Sequence, residues 1–172
     1  MSLLIYAESA EGKFKKVAFE LASYAKKLAT SLNEQVVAVV FGDANPAELG
    51  TYGVDKVVQV QGEGVGVFQA KSYAQALVEV AKKESASVII LPTTTDAQYL
   101  AGLVAVGVSG GFVSNVVEQP ASLNPFQVKR TSFSNKAFVT STSSMTSHHP
   151  KRTFFFCWLL TSSQLIIAAM RP

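Results

Sequence analysis

Short, uninterrupted apolar runs alternate along this chain with stretches whose apolar residues recur every three or four positions. That alternation constrains the fold more than any other feature. The runs are Leu3-Leu4-Ile5-Tyr6-Ala7, Gln35 to Phe41, Lys56 to Val60 and Ser87-Val88-Ile89-Ile90-Leu91. Each has the length of a strand, and the first and last suit strands buried on both faces. Between the first two, Val17, Ala18, Leu21, Ala22, Ala25, Leu28, Ala29 and Leu32 share one helical face. Lys15, Lys16, Lys26 and Lys27 lie off it, so an amphipathic helix is predicted from Phe14 to Leu32, with Asn33 as its stop. A short helix with Pro46 in its first turn is predicted to about Tyr52. A longer one, from Phe68 to Lys83, buries Ala70, Ala74, Leu77, Val78 and Ala81. Strands and helices in units this short require parallel pairing, and right-handed crossovers then place helices on both faces. The expected fold is therefore a three-layer αβα domain with a mostly parallel sheet. Ligands of such sheets gather at the carboxyl ends of the strands, here the loops after Ala7, Phe41 and Leu91.

At 172 residues and 48% hydrophobic composition the chain can build a real core. Its charge is unevenly spread. Nine Lys or Arg against twelve acids leave the first 118 residues at −3, whereas six Lys or Arg without an acid give the remainder +6. Those six, including Lys129, Arg130 and Lys136, are scattered among Ser, Thr and Phe with no recognisable nucleic-acid module, so no nucleic-acid partner is expected. The single cysteine, Cys157, excludes an internal disulfide and a multi-cysteine metal site, and between Phe156 and Trp158 it reads as an unreactive thiol. Glu8 comes too early for a signal peptide's apolar region, and no basic segment precedes it. A cytoplasmic location follows.

Chemistry is thin. Gly62-Glu63-Gly64-Val65-Gly66 spaces its glycines alternately rather than as G-x-G-x-x-G, and reads as a strand-to-helix connector. Pro92-Thr93-Thr94-Thr95-Asp96 follows a strand and could hold an anion, yet Thr95 or Asp96 as a helix N-cap accounts for the same residues. His148 and His149 are adjacent and point apart, so they form no helical metal pair. No nucleophile–base–acid set is legible, and no catalytic, cofactor-binding or metal-binding residue is assigned.

Four stretches carry a family resemblance. Leu4-Ile5-Tyr6-Ala7-Glu8 with the long helix after it resembles the amino terminus of electron-transfer flavoprotein alpha subunits. Tyr52-Gly53-Val54-Asp55-Lys56-Val57 is similar to that family's "GAD-K-V" approach to a strand. Ile90 to Asp96, the helix beyond, and Gly111-Phe112-Val113-Ser114-Asn115-Val116 resemble its strand, hydroxyl-rich turn, helix and "G-x-x-S-D-V" emergence, with Asn115 where Asp is usual. Val128 to Ala137 resembles its "R-x-x-x-x-G-x-A" hairpin, with Asn135 in place of Gly. The resemblance covers residues 2 to 140. It implies an α/β amino-terminal domain of an alpha–beta heterodimer that relays electrons from dehydrogenases to a membrane quinone reductase. In that family FAD is held mainly by a second, carboxy-terminal domain whose signatures are not found here, so this chain is expected to bind no FAD and to act as a scaffold, not an enzyme. The beta subunit is the expected partner. Ser114, Asn115 and Arg130 are its candidate contacts: Phe112 to Val117 is expected as a strand, the hairpin Phe126 to Phe138 beside it, and Arg130 has no acid near it in sequence.

Residues 1–140 are thus expected to form one domain and 141–172 an atypical tail. The segment Phe154 to Met170 is uncharged but shorter than the roughly 20 apolar residues of a membrane span, and Thr161-Ser162-Ser163-Gln164 interrupt it. It reads as an out-of-frame or aberrant ending, and no membrane partner is expected. Two other readings stay open: a stand-alone nucleotide-binding module using the loops after Ala7 and Leu91, and a membrane-attached interaction protein.

Overall fold

A computed structural model describes residues 1–62, 65–123, 126–132, 136–143, 153–159 and 164–168. Its frame is the expected three-layer αβα arrangement. Strands β1 (Ser2–Ala7), β4 (Gln35–Phe41), β5 (Lys56–Val60) and β6 (Ala86–Pro92) lie parallel in the order β6-β1-β4-β5. Helix α1 (Lys16–Leu32) links β1 to β4, the short α2 (Ala47–Gly50) links β4 to β5, and α3 (Ala70–Lys83) carries the chain back to β6. Successive strand residues point to opposite faces, which divides the core in two. Leu3, Ile5, Val36, Ala38 and Ile90 pack on the α1 side, whereas Leu4, Val39, Ile89 and Leu91 pack on the side of α3 and α4 (Thr95–Gly107). This double burial is why the runs read as unbroken apolar stretches.

The predicted stop of α1 holds: Asn33 sits at φ 54°, ψ 44° and its N–H bonds back to Thr30. A short polar side chain tolerates this left-handed geometry better than an apolar one. The loop predicted after Ala7 contains more structure than expected. Strands β2 (Ser9–Ala10) and β3 (Lys13–Phe14) form a hairpin whose central residues, Glu11 and Gly12, both have positive φ. That is the backbone of a primed turn, which suits the twist of paired strands. The cap of α4 falls one residue earlier than expected. Thr94, not Thr95 or Asp96, is its N-cap and accepts a bond from the Ala97 N–H, while Asp96 lies in the first turn where a carboxylate opposes the helix dipole. At the end of α4, Gly107 lies so close to α3 that an added Cβ would come within 2.5 Å of Val78.

Beyond α4, β7 (Gly110–Val116) continues the sheet, followed by β8 (Ser122–Leu123), β9 (Phe126–Ser132) and β10 (Ala137–Ser143), which pair antiparallel. Strands β11 (Thr153–Leu159) and β12 (Gln164–Ala168) stand between β7 and β6, with β11 parallel to β7 and β12 antiparallel to β6. Asn135 and the histidine pair lie outside the described residues.

The segment that resembles the family's "GAD-K-V" has a clear local purpose. Asp55 N–H donates to the Val36 carbonyl at 3.0 Å, and Val36 N–H donates to Asp55 Oδ2 at 2.9 Å. Lys26 Nζ reaches Asp55 Oδ1 at 2.9 Å, so one carboxylate ties β4, the entry to β5 and α1 together. The Val36 N–H, and then Lys26, hold the Asp55 carboxyl below its ordinary value. The contribution is therefore complete above the unfolded carboxyl's pKa of roughly 4 and fades as pH falls through the lower folded value. Asp55→Ala should cost about 1–2 kcal/mol at neutral pH, toward the low end for a bond to a charged group because the carboxylate is partly exposed. Urea unfolding at pH 7 and pH 3 checks this. A cost that does not shrink at the lower pH would mean that the carboxylate contributes nothing as a charge.

Candidate functional site

The strand order creates one crevice. From β1 the chain leaves toward β4 through α1, and from β6 it leaves toward β7 through α4 on the opposite face. The loops therefore diverge at the carboxyl ends of β1 and β6, where open α/β sheets take ligands. A cleft of about 500 Å³ begins there and extends over the ends of β4 and β5. Of the three loops expected at this edge, those after Ala7 and Phe41 line it directly, and the turn after Leu91 contributes through Asp96. The connector at Gly62 and Gly66 forms another part of the wall, while Glu63 and Gly64 lie outside the described residues.

Aromatic rings build the cleft's floor. Phe41 stacks on Tyr73 at 3.9 Å with 14° between planes, and Tyr6 meets Phe41 edge-on at 5.7 Å. Tyr73 Oη donates to the Val65 carbonyl at 2.5 Å and fastens the connector. Ser9 Oγ donates to the Phe41 carbonyl at 2.8 Å, and Gln59 Nε2 donates to that of Gly42 at 2.6 Å. Gly42 has φ 89°, a conformation that favours glycine at this strand exit.

Charge in the cleft is one-sided. Among the described residues, Glu8, Glu11, Asp43 and Asp96 line it against a single cation, Lys15. Glu8 is the buried member, 2% exposed, and its carboxylate accepts bonds from Lys15 Nζ at 2.8 Å and from Thr94 Oγ1. Burial raises the Tyr6 hydroxyl far above its ordinary pKa, with Glu8, Tyr73 and Asp96 adding to the rise; burial and Asp96 raise Tyr73 likewise. Residue spacing gave no sign of this grouping, because its charged members come from three separate connections, after β1, after β4 and after β6. The apolar runs did locate the edge on which they meet. Among the described residues no group of three or more His, Cys, Asp or Glu is arranged to hold a metal.

The residues proposed for a partner contact lie elsewhere. Arg130 on β9 pairs with Val116 on β7, which places it beside Asn115 and Ser114 along the neighbouring strand. Asn115 has φ 60°, so an Asn can stand where the resembling family has Asp: both accept the left-handed backbone the position demands. Glu118 neutralises Lys129, at 2.6 Å, rather than Arg130. Arg130 Nε is buried and has no hydrogen-bond partner among the described residues. Helix α4 carries a second exposed feature, an apolar stripe of Tyr99, Leu103 and Val106 at helical spacing, with Val106 81% exposed.

Comparison with known proteins agrees with these features. A family model described as the electron transfer flavoprotein domain matches residues 3–147. The chain is 27% identical over 125 residues to the acryloyl-CoA reductase electron transfer subunit beta of Anaerotignum propionicum, covering 71% of this chain and 34% of that protein. It is 26% identical over 138 residues to the electron transfer flavoprotein subunit alpha of Syntrophomonas wolfei, covering 78% and 42%. It is also 27% identical over 120 residues to the protein FixB of Azorhizobium caulinodans, covering 66% and 32%. The chain thus spans between 32% and 42% of the length of these three curated relatives.

Proposed function

The chain belongs to the electron transfer flavoprotein domain family, and from that membership we propose that it serves as the scaffold domain of an alpha subunit in a heterodimeric electron carrier. In this reading the complete carrier moves electrons from dehydrogenases to the quinone pool through FAD held outside this domain, and the chain performs no catalysis of its own. The family match over residues 3–147 carries the proposal. Two surface features support it. The α4 stripe is apolar and uncovered, which suits a docking surface. Arg130 is half-buried on β9 and forms no salt bridge among the described residues, and such a guanidinium suits a carboxylate supplied by another chain.

The crevice does not suit FAD. A pyrophosphate would bring two negative charges into a cleft lined, among the described residues, by four carboxylates and one lysine. No helix among the described residues is long and apolar enough to cross a membrane. The test is co-expression with an electron transfer flavoprotein beta subunit, followed by gel filtration and absorbance spectroscopy. The two chains should elute together, and the chain alone should be colourless. Arg130→Ala should weaken the complex by about ten- to a hundredfold, the worth of a charged hydrogen bond. Elution of the two chains apart would overturn the scaffold reading, and stoichiometric flavin on the isolated chain would overturn its cofactor assignment.

A further inference from the structure

Glu8 occupies an unusual place for a carboxylate. It follows β1 at the crevice, where α1 and α4 both begin, and the first-turn amides of helices make such a place positive. Open α/β sheets commonly hold a ligand phosphate at this point. The two groups that bind the Glu8 carboxylate are the side chains of the two N-cap residues, Lys15 of α1 and Thr94 of α4. Thr94 Oγ1 donates to Glu8 and accepts from the Ala97 N–H at 3.3 Å, so the carboxylate is coupled to the amides of α4 through the cap. A lysine ammonium and a threonine hydroxyl at a helix start are also a donor set for phosphate. We infer that Glu8 is a built-in anion: its carboxylate fills the position a ligand phosphate would take, and the crevice is closed to phosphate because the chain supplies its own negative charge.

Two further observations agree. Tyr6 lines the same cleft at 5% exposure, so the wall beside the occupied position is closed to solvent. Glu11, Asp43 and Asp96 face the same space, and with Lys15 already paired to Glu8 they repel a second anion. Burial, and then the charges of Glu8, Tyr73 and Asp96, raise the Tyr6 hydroxyl far above its ordinary pKa. A buried carboxylate is retained only where it is paired, and here Lys15 and Thr94 provide the pairing.

The experiment titrates inorganic phosphate and AMP into the whole chain, read by amide chemical shifts in NMR, for the wild type, Glu8→Ser and Glu8→Gln. The wild type should show no saturable response up to roughly 10 mM, whereas Glu8→Ser should bind both probes at least tenfold more tightly, with the largest shifts at the first turns of α1 and α4. Lys15→Ala added to Glu8→Ser should abolish the gain. Glu8→Gln keeps the side chain's volume and its acceptor for Thr94, so it serves if the serine variant does not fold. There the loss of charge alone should raise phosphate affinity about threefold. Saturable binding by the wild type as tight as by the variants overturns the inference, and so does a folded variant that gains nothing. Phosphate binding by the wild type would also favour the nucleotide-module reading. Failure to capture a beta subunit would touch only the scaffold role, so the two proposals fail separately.

Discussion

Replacing Ile5 by Ala lowers the free energy of unfolding by about 2–5 kcal/mol, the range for deleting most of a fully buried aliphatic side chain. Ile5 has no exposed surface and lies midway along β1, paired with Ala38 on β4 and Ile90 on β6. Its side chain belongs to the core beneath α1, where strands on both sides limit how far the site can collapse around a void. Against a total stability of about 5–15 kcal/mol, that loss brings the domain close to unfolding. Urea denaturation followed by circular dichroism measures it. A change below about 1 kcal/mol would show that β1 is not the centre of the core. The partly exposed Val57, on β5 at the sheet's edge, makes the control: Val57→Ala should cost clearly less.

Ending the chain after residue 147 should leave a soluble protein with one cooperative unfolding transition and a higher soluble yield than the full chain. The family match stops at that residue, and the uncharged run from Phe154 to Met170 is an aggregation liability wherever it lacks a partner. Removing β11 and β12 takes two strands from between β7 and β6. The unit β6-α4-β7 is itself a strand–helix–strand crossover, and such units commonly set their strands side by side, so β7 is expected to close onto β6. Hydrogen exchange of the Ile89, Ile90 and Leu91 amides reports the closure. Protection kept in the shortened chain supports treating the residues after 147 as separate from the domain. Lost protection together with a broad, non-cooperative transition would make β11 and β12 part of the core.

Much of this domain follows from the order of its residues. The unbroken apolar runs at Leu3 and Ser87 suit strands covered on both faces, the run at Gln35 suits another strand, and the period of Val17 to Leu32 is that of an amphipathic helix lying on them. Parallel order and the ligand edge follow, because a helix between two strands returns the chain to the same end of the sheet. Asn33 marked a helix end because its own backbone preference is local. Contacts between distant residues left no such trace. The hairpin at Glu11-Gly12 was missed because Glu rarely accepts positive φ, and only its pairing neighbours hold it there. Thr94, Thr95 and Asp96 are all good N-caps, and the Glu8 carboxylate that selects Thr94 lies 86 residues away in sequence. The exposed stripe on α4 was equally hidden, since that helix is apolar on nearly every side and its sequence does not say which side is covered.

By itself, then, the sequence determined the layers, the strand direction and the family, because these rest on periodicity and short motifs carried within single segments. Tertiary structure alone decided that Tyr6, Asp43, Tyr73 and Asp96 share one cleft and that Glu8 lies buried between two helix starts. The physical reason is the same for each. A charge or a ring acquires its role from what surrounds it in space, and here segments far apart in sequence meet at the sheet's carboxyl edge.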